Sequence, residues 1–127
     1  ESLGAWDAIL LPAALADFRP VRQSGKIASG QRVSLELEPA PKLLPLLRKA
    51  HSGKLVAFKL ADAFSDDELI KKADAPLEYA DLVVANTTEA MEAEAARVVL
   101  VSRKGAEKAS GNKRTLAGAI LDRLQPA

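Results

Sequence analysis

Cysteine is absent from this 127-residue chain, and histidine, methionine, tryptophan and tyrosine occur once each. Without cysteine there is no disulfide framework, thiolate zinc site, iron–sulfur cluster or cysteine nucleophile. One histidine excludes a multi-histidine metal site and leaves a single opportunity for a serine–histidine pair. Long apolar runs are lacking too. The longest, Ala8 to Leu15, contains Pro12 and falls far short of the ~18 residues of a membrane span. No basic segment precedes an apolar one at the start, so no signal peptide is expected. The net charge is only +1, which supplies no basic excess for a nucleic-acid binder.

That small sum conceals segregation. Residues 1–17 carry −3, residues 18–59 carry +7, residues 60–96 carry −8 and residues 97–127 carry +5. The basic stretch contains only two acids, Glu36 and Glu38, and suits either a solvated surface or an anionic ligand such as a polyphosphate.

The pattern predicts alternating strands and helices. Trp6–Leu11, Lys54–Leu60, Asp81–Asn86 and Val98–Val101 are apolar runs expected as strands buried on both faces. Arg32–Glu38 alternates, with Val33, Leu35 and Leu37 on one side, and predicts a half-exposed strand. Pro41 opens a helical segment that holds Pro45, ends in Arg48 and Lys49 and stops near Gly53. Ser65-Asp-Asp-Glu68 is a capping box for a helix expected to reach about Tyr79. Thr87–Ala96 is expected as a short helix or helical turn. Ser110 precedes a last helix with a stripe of Leu116, Ala117, Ala119, Ile120, Leu121 and Leu124. One domain over residues 1–127 follows, an α/β fold with a Rossmann-like, mostly parallel sheet flanked by helices. Residues 19–31, with two glycines and no period, form a flap loop.

In such sheets ligands lie outside the carboxyl ends of the strands. That rule nominates Pro12–Arg19, Phe58–Asp62, Asn86–Thr88 and Ser102–Gly105. Within them Ala13, Ala14 and Ala16 allow close approach to backbone, Asp17 offers an acceptor and Arg19 a cation. Lys26, in Ser24-Gly-Lys-Ile-Ala-Ser-Gly30, can reach a bound phosphate from the loop. Phe58 can contact a base or belong to the core. Asn86 can bind a substrate or cap the next helix. His51 follows a basic helix end and suits a structural or surface role. No G-x-G-x-x-G and no P-loop occurs, so a nucleotide site would need another phosphate cradle or a preceding segment.

Taken in order, these segments resemble the phosphopantothenoylcysteine synthetase family of coenzyme A biosynthesis. The resemblance rests on Ala13-Ala-Leu-Ala-Asp-Phe-Arg-Pro20, Gly25-Lys26-Ile27 and Leu35-Glu-Leu-Glu-Pro-Ala-Pro-Lys-Leu-Leu44. It continues through Val56-Ala-Phe58-Lys-Leu60, Asp81-Leu-Val-Val-Ala-Asn86 and the stretch Asn112-Lys113 to Asp122. It implies a cytoplasmic CTP-dependent ligase that activates 4′-phosphopantothenate as an acyl-cytidylate, uses Mg2+ and couples the acid to cysteine. It further implies a homodimer, contacted near Arg32–Glu38, and a flavin-dependent decarboxylase that is fused or separate.

By resemblance, Lys26 is the catalytic lysine and also contacts nucleotide. Leu11, Pro12, Ala13, Asp17, Pro41, Lys42, Leu43, Leu44, Phe58 and Lys72 belong to the nucleotide site, with Asp17 on the cytosine amino group, and Asn86 to the substrate site. Neither Lys71 nor Lys72 is singled out cleanly by the motif. The chain departs from the family at Ala57, where a glycine is usual, and at Lys59-Leu60-Ala61-Asp62, where glutamate and threonine are usual. The family's glycine-rich segment lies upstream of Trp6, so the chain is expected to be a C-terminal portion that does not turn over alone. CTP and ATP are not separated, since either base offers an amino group to Asp17. A module of the same fold without catalysis, serving nucleotide binding or dimerisation, is the alternative; a generic flavodoxin-like domain is a third.

Overall fold

The computed structural model describes residues 6–63, 65–87 and 96–125. Five strands form the main sheet in the order β1 (Ala8–Leu11), β4 (Lys54–Leu60), β5 (Leu82–Asn86), β6 (Ala96–Ser102) and β7 (Gly105–Gly111). A separate ribbon pairs β2 (Phe18–Pro20) with β3 (Leu37–Pro39). Three helices complete the description: α1 (Leu43–Ala50), α2 (Asp66–Leu77) and α3 (Lys113–Asp122).

Sequence periodicity explains the middle of the sheet. Leu82–Ala85 and Val98–Val101 are buried without interruption because both sheet faces are covered. Val83, Ala85, Val99 and Val101 join Leu69 and Ala73 of α2 on one face; Leu82, Val84, Val98 and Leu100 meet Leu116 and Ile120 of α3 on the other. β1, β4 and β5 run parallel, β6 runs against them and β7 returns, so four of the five strands share a direction. This is the expected Rossmann-like α/β arrangement.

Helix ends follow local chemistry. Ser65 Oγ accepts from the Glu68 backbone N–H at 3.2 Å, as the capping box requires. Asn112 Oδ1 does the same for Thr115 at 2.9 Å and caps α3, two residues after Ser110. α1 starts at Leu43 behind an extended Lys42, later than the expected opening at Pro41. Pro45 then falls in the first turn, where its missing N–H would have had no helical partner. α2 stops at Leu77, short of Tyr79, one residue after Pro76.

Several expectations are corrected. β1 is a half-buried edge strand among the described residues, not one buried on both faces. Arg32–Glu38 is not a strand along its length. Only Leu37–Pro39 pairs, and Val33, Leu35 and Leu37 are exposed because the ribbon stands off the sheet with no layer behind it. The flap is consequently 21–36, since Phe18–Pro20 is a strand. On α3 the stripe narrows to Leu116, Ala119, Ile120 and Leu124, while Ala117 and Leu121 face out. The helix expected within Thr87–Ala96 falls largely outside the described residues.

Asp66, in the first turn of α2, binds the neighbouring strands. Its carboxylate is 2.6 Å from Lys108 Nζ and takes a two-pronged contact from Arg97 at 3.1 and 3.2 Å. The Lys108 hydrogen bond, helped by the charges of Arg97 and Lys108 and opposed by partial desolvation, holds its carboxyl below the ordinary value. A depressed pKa stabilises the fold above the unfolded value and loses that contribution as pH falls through the folded one. Asp66→Asn should therefore flatten the acid side of a plot of thermal midpoint against pH. An acid limb identical to the parent's would remove this assignment.

Candidate functional site

Parallel pairing puts the carboxyl ends of β1, β4 and β5 side by side, with Leu11 opposite Ala57 and Leu60 opposite Asn86. The chain leaves the sheet there through Pro12–Asp17, and α1 begins beside it. Between them lies a cleft of about 490 Å³, lined by residues 11–15, Asp17, Lys42, Leu43, Leu44, Ala57 to Leu60, Pro76 and Asn86. This is a volume usual for small-molecule sites.

Asp17 is the only carboxylate among the described residues of this lining. Its backbone carbonyl accepts from Ala40 N–H at 2.8 Å, tying the root of the ribbon to the cleft. Its side-chain Oδ1 accepts from Lys42 Nζ. That hydrogen bond and the Lys42 charge, with a smaller contribution from Lys59 and against some desolvation, hold the carboxyl below the usual range. Oδ2 remains as a free acceptor direction. Arg19 pairs with Glu38 at 2.7 Å across the ribbon and does not enter the lining.

The structure brings together Leu11, Pro12, Ala13, Asp17, Lys42, Leu43, Leu44, Phe58 and Asn86. Three other nominated residues are outside the lining. Pro41 precedes the cap of α1. Lys72 donates to the Asp62 carbonyl and pairs with Glu68 at 3.1 Å, so it is held along its own helix. Lys26 sits on the exposed flap, after Gly25 at φ +94, without a hydrogen bond or ion pair among the described residues. Lys59 also lines the cleft; it lies in the nominated Phe58–Asp62 segment but was given no role of its own. Its signal was available: a lysine within an apolar strand marks where the strand leaves the core.

Ser102–Gly105 is a further correction. Because β6 runs antiparallel, this turn lies at the opposite end of the sheet, where a second cleft of about 450 Å³ is bordered by Lys54, Asp81, Arg103 and Lys104. His51 is there as well, and it is buried. Its Nε2 has no hydrogen-bond partner among the described residues.

The family model for the DNA/pantothenate metabolism flavoprotein C-terminal domain matches residues 1–126. The chain belongs to this family. It is 42% identical over 125 residues to the coenzyme A biosynthesis bifunctional protein CoaBC of Thermococcus kodakarensis, covering 94% of this chain and 31% of that protein. The chain thus spans about a third of the length of the curated relatives it matches. Among solved structures, the DNA/pantothenate metabolism flavoprotein of Streptococcus pneumoniae superimposes with a TM-score of 0.80 at 23% identity, over 95% of this chain and 63% of that one. A Cab2 mutant in complex with phosphopantothenate-cysteine gives 0.66 at 25% identity, over 91% and 42%.

Proposed function

We propose that this chain is the CTP-binding part of a cytoplasmic phosphopantothenate–cysteine ligase in coenzyme A biosynthesis. The observation that carries the proposal is the cleft at the strand ends, where small backbone-exposing residues, the Asp17 carboxylate and Phe58 face one space. Membership of the family and likeness to CoaBC proteins support it, as does the product-like ligand named for the Cab2 mutant.

In this reaction a carboxylate oxygen of 4′-phosphopantothenate attacks the α-phosphorus of CTP. A P–O bond forms, the bond to pyrophosphate breaks, and the acyl-cytidylate results. The cysteine amine then attacks the acyl carbon, loses a proton and expels CMP to leave an amide. Such displacements depend on alignment and charge neutralisation more than on acid–base side chains. Asp17 is the only cleft carboxylate among the described residues and is bonded to Lys42, so Mg2+ is expected to arrive on the triphosphate as part of the substrate. Oδ2 of Asp17 would accept from the cytosine amino group, Phe58 would lie against the base, and Asn86 would bind the acyl substrate.

Exposed Val33, Leu35 and Leu37 on the flap and its ribbon give a second copy an apolar surface, which supports a homodimer. The remaining length of the CoaBC relatives leaves room for a fused flavin-dependent decarboxylase. One observation favours the alternative of a binding or dimerisation module without catalysis: Lys72 is engaged by Glu68 and Asp62 and does not face the cleft.

Calorimetric titration with Mg·CTP and Mg·UTP tests the site. The parent chain should prefer CTP by about tenfold, the scale of one charge-assisted hydrogen bond. Asp17→Ala should abolish that preference. Because its carboxyl is held low, the preference should be constant from about pH 5 to pH 8 and fade only at lower pH. Absence of CTP binding, or a CTP/UTP ratio unchanged by Asp17→Ala, would defeat the assignment. A chain that binds CTP but supports no ligation at its relatives' full length would favour the non-catalytic module.

A further inference from the structure

Lys59 stands next to last in β4, opposite Ala85, where the strand emerges from the core into the cleft. It is half-buried, and its side-chain ammonium makes no hydrogen bond or ion pair among the described residues. Asp17, the only carboxylate among the described residues of the lining, already carries the Lys42 ammonium on Oδ1. Removing an ammonium from water without giving it a partner is unfavourable, so a cation placed this way is completed by an anion that enters from outside.

We propose that Lys59 is the anion-binding cation of the cleft and holds a phosphate group of its ligand. This rests on the nucleotide reading and deepens it by naming which charge meets the polyphosphate. Lys72, which the resemblance assigned to the nucleotide site, is occupied by Glu68 and Asp62. Lys42 is bound to Asp17 and largely neutralised by it. Lys59 and Asp17 line the same cleft, and the Lys59 charge adds a small part to what holds the Asp17 carboxyl low. Phe58, its neighbour on the strand, lines the same cleft, with its side chain on the other face of the sheet. Lysine suits the task as a compact point charge with three donors.

The test compares the parent chain, Lys59→Met and Lys59→Arg by calorimetry, with Mg·CTP, cytidine and inorganic tripolyphosphate as probes. Methionine keeps the stem length, and the thermal midpoint of each variant reports that it folds. Lys59→Met should bind CTP and tripolyphosphate about tenfold more weakly and with a shallower salt dependence. Cytidine affinity should be unchanged, and Lys59→Arg should recover most of the loss. Equal affinity of parent and Lys59→Met for tripolyphosphate would overturn the proposal, as would an equal loss for cytidine and CTP. The two readings fail separately. A parent that binds tripolyphosphate through Lys59 but shows no gain from the nucleoside overturns the nucleotide site alone. A parent that binds cytidine and CTP equally, and tripolyphosphate not at all, overturns the role of Lys59 alone. Binding of none of the three overturns both.

Discussion

Lys26→Ala should lower ligase turnover by about 100-fold, the effect of removing one donor that stabilises charge in a transition state, with no change in thermal midpoint. The two halves of that expectation have separate causes. Lys26 is exposed on the flap and has no hydrogen bond or ion pair among the described residues, so its truncation breaks nothing in the fold. The flap is rooted at the cleft by Ala40 N–H on the Asp17 carbonyl and by the Arg19–Glu38 pair. Closing it over a bound triphosphate would bring the ammonium to the leaving pyrophosphate, where charge develops. The measurement is kcat at saturating CTP, phosphopantothenate and cysteine, on a polypeptide of the relatives' full length. An unaltered kcat would remove Lys26 from the mechanism. A loss matched by a fall in midpoint would make it structural.

Arg48→Met should have the opposite signature, a large loss of stability with cleft affinity intact. Arg48 closes the amino end of the sheet. It donates to the Asp81 carboxylate at 3.1 Å, to the Gly53 carbonyl at 2.8 Å and to the His51 carbonyl. Asp81 in turn accepts from the Leu55 N–H at 2.8 Å. Removing the guanidinium leaves these acceptors without their donor. Gly53 is pinned close by: a Cβ there would lie 2.7 Å from both the Asp7 carbonyl and His51 Nε2. Both charged partners are partly exposed, so water recovers some of the loss. About 2–3 kcal/mol is expected, or a fall of roughly 10 °C in thermal midpoint for a chain of this size. Denaturant titration measures the first quantity and calorimetry on folded protein the cleft affinity. A change under about 0.5 kcal/mol, within the range of ordinary surface substitutions, would show that Arg48 holds nothing together.

The sequence made some elements legible because their physics is local. Ser65-Asp-Asp-Glu68 specifies a helix start through atoms three residues apart, and β4 and β5 are marked by apolar runs that only a two-sided core explains. Strand direction is not local. Nothing in Val98–Val101 distinguishes a strand running with Leu82–Ala85 from one running against it, since both bury every residue. That ambiguity sent Ser102–Gly105 to the wrong end of the molecule. β7 was invisible for a different reason: Gly105-Ala-Glu-Lys-Ala-Ser-Gly111 is an edge strand, mostly exposed, whose small and charged residues carry no apolar alternation. Alternation at Val33, Leu35 and Leu37 misled in the other direction, because an exposed stripe has the same period as one turned to the core. Within the candidate site, the Ala13–Pro20 motif gave the loop directly. The Asp17–Lys42 pair joins residues from separate elements and needed the fold to be seen.

The antiparallel turn between Ser102 and Gly105 also bears on how the molecule assembles. There β6 and β7 close on residues three apart, whereas the pairing of β1 with β4 joins Leu11 to Ala57. Chain entropy opposes the second closure far more than the first, and contacts between distant residues form later. The hairpin can therefore exist before the sheet is complete, while β1 docks only onto a β4 already in place. The cleft needs that last docking for its Leu11–Asp17 wall. A ligand seated there binds only the fully assembled chain and so favours completion of the fold.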